Sequence, residues 1–345
     1  MTNTKAYFRA HMRDQLKIFV FILAIVLALT VLATFNLQSR EHRYYDGQEY
    51  QMGFDTMLGF PVSIMCSLAL VLPVVEFSFF KKRIHLDCAY SLPISRKSMG
   101  MVHYLSGLIT LISAFTLSYL LNFTTLLSAE NEDFNFVPML AHYFLCLVLG
   151  VAVYSVMVFV FNEANSAGDG VWFMLSYCFV FGLVLLAVAV KINNSYILES
   201  GFASLPLPFG VFAELTDSYT YLVERHGGSV DFWWQIPQYI FWLVFWVVLG
   251  IASVLGFYFT FGKRRAEKTG EISDSFFGYR VLIPVGTISC MLIFSLFDSA
   301  GWDILIWKAI FELLAIVGYT VYRHGIHFKK NDVIMMIILA VFMFV

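Results

Sequence analysis

The chain has 345 residues, 59% of them hydrophobic and only 13% charged, and its mean hydropathy is +0.75. Soluble domains carry about 25% charged residues, so the composition excludes a water-soluble globular protein and defines a membrane protein. A net charge of −2 leaves no overall electrostatic footprint for nucleic acid. The five cysteines, Cys66, Cys88, Cys146, Cys178 and Cys290, are an odd number with none in a polar outer loop, which argues against a disulfide framework.

The first stretch, "AYFRAHMRDQLK", spaces Phe8, Met12 and Leu16 four residues apart, beside a basic stripe of Lys5, Arg9 and Arg13. Residues four apart share a helical face. The pattern predicts either a helix lying on an anionic membrane surface or a plain basic anchor that sets topology.

Eight apolar runs then approach or exceed the ~20 residues that a spanning helix needs. They cover about 17–36, 57–80, 101–127, 138–161, 170–190, 235–262, 280–298 and 303–322. The first has no small-residue cleavage site and reads as a span rather than a leader. With the N-terminus inside, 17 of the 22 Lys and Arg residues fall in inner segments and four in outer ones, which sets the orientation by the positive-inside rule. The turn "NEANSAGDG", Asn162 to Gly170, is an inner segment without a positive charge. The longest outer loop, Lys191 to Trp234, is broken by Gly and Pro and predicts short re-entrant or interfacial helices. After Asp332 only 13 apolar residues remain, about 20 Å of helix, too short for a hydrocarbon core of roughly 30 Å.

Charges at membrane depth are costly unless paired or facing water. Glu76 follows Pro73 about one turn before the inner boundary, and a clamp to Lys81, Lys82 or the N-terminal helix is one reading, a proton pathway the other. Lys308 and Glu312 are four apart in the eighth span. They read most simply as a self-neutralising pair, with an ion or substrate path as the alternative.

There is no G-x-x-x-x-G-K-[ST], G-x-S-x-G or H-E-x-x-H in the chain, so neither a phosphate-cradling loop nor a hydrolase or zinc-protease signature is present. His324 and His327 lie one turn apart without a third ligand, and a polar interface is the simpler reading. The sequence therefore names no catalytic residue, no cofactor site and no metal site.

The loop between the second and third spans, "KKRIHLDCAYSLPISRKSMG" (Lys81 to Gly100), is neither charged nor apolar enough to be only an anchor. Pro93 suits the first turn of a new helix, with Ser91 or Leu92 at the cap. The loop reads as a short helix, a break and a restart.

This stretch, extended to "FSFFKKRIHLDCAYSLPISRKSMGMVHYLSGLI" (Phe77 to Ile109), resembles the corresponding loop of ABC-2-type exporter permeases, with their "SLP-[IV]-[ST]-R" element and the small step matched by Ser106–Gly107. "FGKRRAEKTGEISDSFFG" (Phe261 to Gly278) is similar to the "kRksE-x-AG" segment of a Gram-positive subgroup, with Thr269 in place of Ala. The resemblance implies an all-α polytopic membrane protein of about eight transmembrane helices. Its six-helix core of the ABC-2 (type V exporter-like) kind would occupy 1–262, with the amphipathic start and inner coupling loop 81–100. Residues 263–345 would add a cytoplasmic linker and C-terminal transmembrane helices, which depart from the minimal family.

What the resemblance further implies is a permease in a bacterial plasma membrane, N-terminus cytoplasmic. It would move an amphiphilic substrate (a peptide, antimicrobial or lipid) outward. ATP and Mg²⁺ would be bound by a separate ABC ATPase subunit, and a second permease copy or paralogue would complete the dimer within the membrane lipids. The ATPase-coupling element would be Leu86, Asp87, Cys88, Ala89, Tyr90, Ser91, Leu92 and Pro93, supported by Arg96. The alternative is a non-pumping sensor or immunity protein that binds an antimicrobial or a lipid.

Overall fold

The structure, a computed structural model, describes residues 2–38, 54–128, 136–191, 210–213, 215–216, 232–263, 266–294, 302–323, 325–326 and 328–343. Among these residues every regular element is a helix, and six helices are long and apolar enough to cross a membrane. The chain is thus a multi-pass membrane protein, all-helical over the described residues. Most of the long outer loop expected at 191–234, and the pair His324 and His327, lie outside the described residues.

The helices group into two compact units. The first comprises residues 1–159 and 208–266. It holds α1 (Thr2–Gln38), α2 (Phe54–Phe77), the short α3 (Arg83–Tyr90), α4 (Arg96–Ser128), most of α5 (Phe136–Glu163) and α7 (Phe232–Lys263). The second comprises residues 160–207 and 267–345, with α6 (Ala167–Lys191), α8 (Tyr279–Phe294), α9 (Trp302–Arg323) and α10 (Lys330–Met343). The grouping differs from the expected division at 262. The break at 266 falls close to it, but residues 160–207 belong with the C-terminal helices, because α6 packs on α8.

In the first unit α1 runs unbroken for 37 residues, where the sequence suggested either a separate surface helix or a plain basic anchor ahead of the span. No Gly or Pro lies between Thr2 and Gln38, so nothing interrupts the hydrogen-bond ladder. The inward stripe is also offset from the expected face. His11, Val26 and Thr30 are buried, while Leu16 is exposed. Much of the rest of α1, such as Phe21 and Phe35, is exposed apolar surface suited to lipid.

Helix α2 buries Leu58, Val62, Met65, Ala69, Leu72 and Glu76. These lie alternately four and three residues apart, a period of about 3.5, with Glu76 in register; Ile64, Cys66 and Phe77 are buried beside them. Helix α4 lies against α1, α2 and α7. Val26, Ile64 and Ala114 form an apolar centre among α1, α2 and α4, and Thr30 and Ser118 bridge α1 to α4 by a 3.0 Å hydrogen bond.

Apolar burial drives association weakly in lipid, so close approach and polar contacts carry more of the packing. Gly250 of α7 shows this: a Cβ there would stand 2.8 Å from Ala152 Cα of α5.

In the second unit the start of α6 is capped by Ser166, whose hydroxyl accepts the Asp169 N–H at 3.0 Å. The Tyr279 hydroxyl donates to Asp169 at 2.7 Å. Gly270, at φ 87°, makes a left-handed turn that favours glycine and donates its N–H to the Asn165 carbonyl at 3.1 Å. Helix α8 is only 16 residues long and contains Pro284. Lys308 is buried on α9, with Glu312 half-buried one turn further. Helix α10 has 14 residues.

Candidate functional site

Helix α3 and its flanks form the first candidate site. A 3₁₀ turn, Ser78–Lys81, ends α2, and Lys82 is extended at φ −110°, ψ 126° before α3 begins. Leu86 and Ala89 are buried, holding α3 to the body of the unit, while Ile84 is 79% exposed. At the other end the Ser91 hydroxyl donates to the Cys88 carbonyl at 2.8 Å. The Arg96 guanidinium stands 4.1 Å from the centre of the Tyr90 ring, a cation–π contact that ties the start of α4 to the end of α3.

Two expectations for this loop are corrected. Pro93 does not open a helix; it lies in a bend with Leu92 and Ile94, and α4 starts at Arg96. The restart is set by Ser95, whose hydroxyl oxygen accepts the Ser98 N–H at 3.1 Å and so satisfies one orphan donor of the first turn. Leu86 is fully buried and cannot be an outward contact. Asp87, Cys88, Ser91, Leu92, Pro93 and Arg96 are exposed and Tyr90 is half-buried. The apolar side chains offered outward are Ile84 and Leu92, and Ile84 was not singled out by the sequence.

The second site surrounds Glu76, which is 4% exposed. Its Oε2 meets His11 Nε2 of α1 at 3.2 Å and His103 Nδ1 of α4 at 3.3 Å. The Tyr7 hydroxyl lies 3.2 Å from the other ring nitrogen of His103, Nε2. The imidazole centres of His11 and His103 are 4.0 Å apart, and Phe77 and Phe80 pack on His103 at 6.1 and 4.7 Å. Three helices thus converge a carboxylate and two imidazoles inside an aromatic wall. Gly107 makes room: a Cβ there would collide with the Tyr154 hydroxyl and approach Glu76 Cγ at 3.2 Å.

The arrangement has a self-consistent proton assignment. Both imidazoles donate to one carboxylate oxygen, and His103 Nε2 accepts from the Tyr7 O–H. The sequence pointed to Glu76 and to the N-terminal helix as one possible partner, but not to Tyr7, His11 or His103. The only available signal was the i, i+4 spacing of Tyr7 and His11.

A further polar network binds α4 to α5. His142 Nδ1 is 3.0 Å from the Tyr119 hydroxyl, and the Tyr119 hydroxyl donates to the Met139 carbonyl at 2.9 Å. Beside it is a cavity of about 300 Å³ lined by aromatic and aliphatic side chains that include Tyr119, Phe123, Phe136 and Tyr143.

These features define the class as a multi-pass helical membrane protein with a structured interhelical loop and a buried His–Glu–His cluster. Compared with known proteins, the chain matches no family model, no curated protein and no solved structure.

Proposed function

We propose that the chain is the membrane-spanning permease subunit of an ATP-driven exporter, and that α3 is the docking element for a separate ABC ATPase. The observation that carries this reading is a short helix pinned from behind by Leu86 and Ala89 and at its end by Arg96 on Tyr90, while Ile84 is presented to the outside. A large exposed apolar side chain on a rigid support is the form that interface anchors take. The chain has no phosphate-binding loop, so ATP-driven work requires another subunit.

In this reading α3 and the N-terminus face the cytoplasm of a bacterial cell, a second permease copy or paralogue completes the transporter, and an amphiphilic peptide, antimicrobial or lipid moves outward. The test is recovery of a co-expressed ABC ATPase subunit from solubilised membranes. Ile84→Asp combined with Leu92→Ala loses the ATPase by at least tenfold, since a buried anchor is worth about 2 kcal/mol or more. Lys82→Ala with Arg83→Ala changes recovery little, because exposed charges are worth roughly 0–1 kcal/mol. Full retention of the ATPase and of coupled hydrolysis by the Ile84/Leu92 variant refutes the docking role.

The second reading, a sensor or immunity protein that binds an amphiphile without pumping, is favoured by the aromatic-lined cavity beside Tyr119. Its volume lies at the lower end of the range of small-ligand sites, about 300–1,000 Å³. Reconstituted transport with the ATPase separates the two readings: the sensor binds the amphiphile and moves none.

A further inference from the structure

We propose that His11, Glu76 and His103 form a binding site for a divalent transition-metal ion of the zinc class, and that the ion ties α1 to α2 and α4. One carboxylate oxygen and two imidazole nitrogens, His11 Nε2 and His103 Nδ1, lie within 4.8 Å of one another. Ligands held about 2.0–2.1 Å from a tetrahedral zinc are separated from each other by about 3.3–3.4 Å. The two nitrogen–oxygen separations are 3.2 and 3.3 Å, close to that edge length. The same two spacings also suit hydrogen bonds from neutral imidazoles, so the donor set and its surroundings carry the argument for an ion.

Donor chemistry agrees. Two imidazoles and one carboxylate suit zinc, cobalt, nickel or copper, whereas magnesium and calcium prefer all-oxygen sets. The surroundings agree as well. Metal-binding histidines almost always hydrogen-bond through their other ring nitrogen, and His103 Nε2 is 3.2 Å from the Tyr7 hydroxyl. With metal on Nδ1, Nε2–H donates to the Tyr7 oxygen and holds the ring orientation. Phe77 and Phe80 exclude water from one side of His103. Three protein ligands leave a fourth position for water or an exogenous donor. The inference stands on these residues alone and holds whether or not the chain is a permease.

The test uses full-length protein in detergent, stripped with a chelator and returned to Zn²⁺ or Co²⁺ in excess Mg²⁺. The expected result is one ion per chain by elemental analysis, visible ligand-field bands with Co²⁺, and a higher melting temperature with Zn²⁺. His11→Ala lowers Co²⁺ affinity at least tenfold, whereas His324→Ala with His327→Ala leaves it unchanged. Tyr7→Phe keeps all three ligands and is expected to cost roughly 10- to 100-fold in affinity by loosening His103. Should His11→Ala fail to fold, Tyr7→Phe and the wild-type cobalt spectrum decide. Wild-type protein that takes up no ion, or His11→Ala and Tyr7→Phe variants that both bind like wild type, would overturn the site.

Discussion

Two buried carboxylates, one in each unit, solve the same problem differently. Asp332 is 5% exposed and accepts hydrogen bonds from Arg323 Nε at 2.7 Å and Nη2 at 2.9 Å, and from the Lys329 N–H at 3.1 Å. Its partners are at most nine residues away in the chain, and the planar guanidinium matches both oxygens at short range. Glu76 is 4% exposed, and its hydrogen-bond partners lie 65 and 27 residues away, both on one oxygen, at 3.2 and 3.3 Å. A saturated pair next to a helix end is a structural lock. A carboxylate shared by two imidazoles from separate helices has a coordination geometry that an ion can occupy.

The largest expected effect separates the two. Asp332→Asn leaves Arg323, whose side chain is 11% exposed, without its opposite charge. Breaking a buried pair in this way costs about 3–5 kcal/mol. Glu76→Gln leaves two imidazoles that can be neutral, so only hydrogen bonds to a charged group are lost, about 1–3 kcal/mol. Thermal unfolding of metal-free protein in one detergent ranks them, and a Glu76→Gln loss equal to that of Asp332→Asn would mean that the imidazoles are charged in the fold.

Gly107→Ala is expected to cost about 1–3 kcal/mol, the range for overpacking, because the added Cβ meets Tyr154 and Glu76. The same substitution at Gly270 meets no neighbouring atom within 4 Å but must hold φ 87°, a cost of about 1 kcal/mol. An ordering of Gly270→Ala above Gly107→Ala would show that α4 can move away from the cluster.

The Asp332 comparison also has a pH signature. The Arg323 hydrogen bonds hold the Asp332 carboxyl below its ordinary value of 3.8. A depressed acid pKa contributes stability above the unfolded-state value, and that contribution is lost as pH falls through the folded-state value. The gap in melting temperature between wild type and Asp332→Asn is therefore widest near neutral pH and closes below about pH 4. The smallest effect belongs to Lys268, which lies 3.8 Å from Asp274 with both side chains about half exposed. Lys268→Ala should change stability by less than about 1 kcal/mol.

Much of the secondary structure and the membrane class were legible in the chain. Local hydropathy and helix breakers decide where a helix lies, and these are properties of neighbouring residues. The apolar run that forms α2 and the short helical stretch ending at Tyr90 are both of this kind. Polar depth is also local, so Glu76 stood out as a charge that needs a partner.

What the linear pattern did not decide is rotation and pairing. A turn of α1 about its axis by one residue, about 100°, exchanges His11 for Met12, and no local signal selects between them. The docking face of α3 has the same ambiguity: Ile84 and Leu86 are both apolar, and only packing made Leu86 the inner anchor and Ile84 the outer contact. The association of α6 with α8 likewise depends on which helix surfaces fit, since apolar spans carry similar hydropathy whatever their neighbours. Composition and periodicity by themselves determined that this is a helical membrane protein with a buried acid and a shaped loop. The tertiary structure alone decided that the acid meets two histidines, because contacts across 27 and 65 residues depend on the facing and depth of three helices at once.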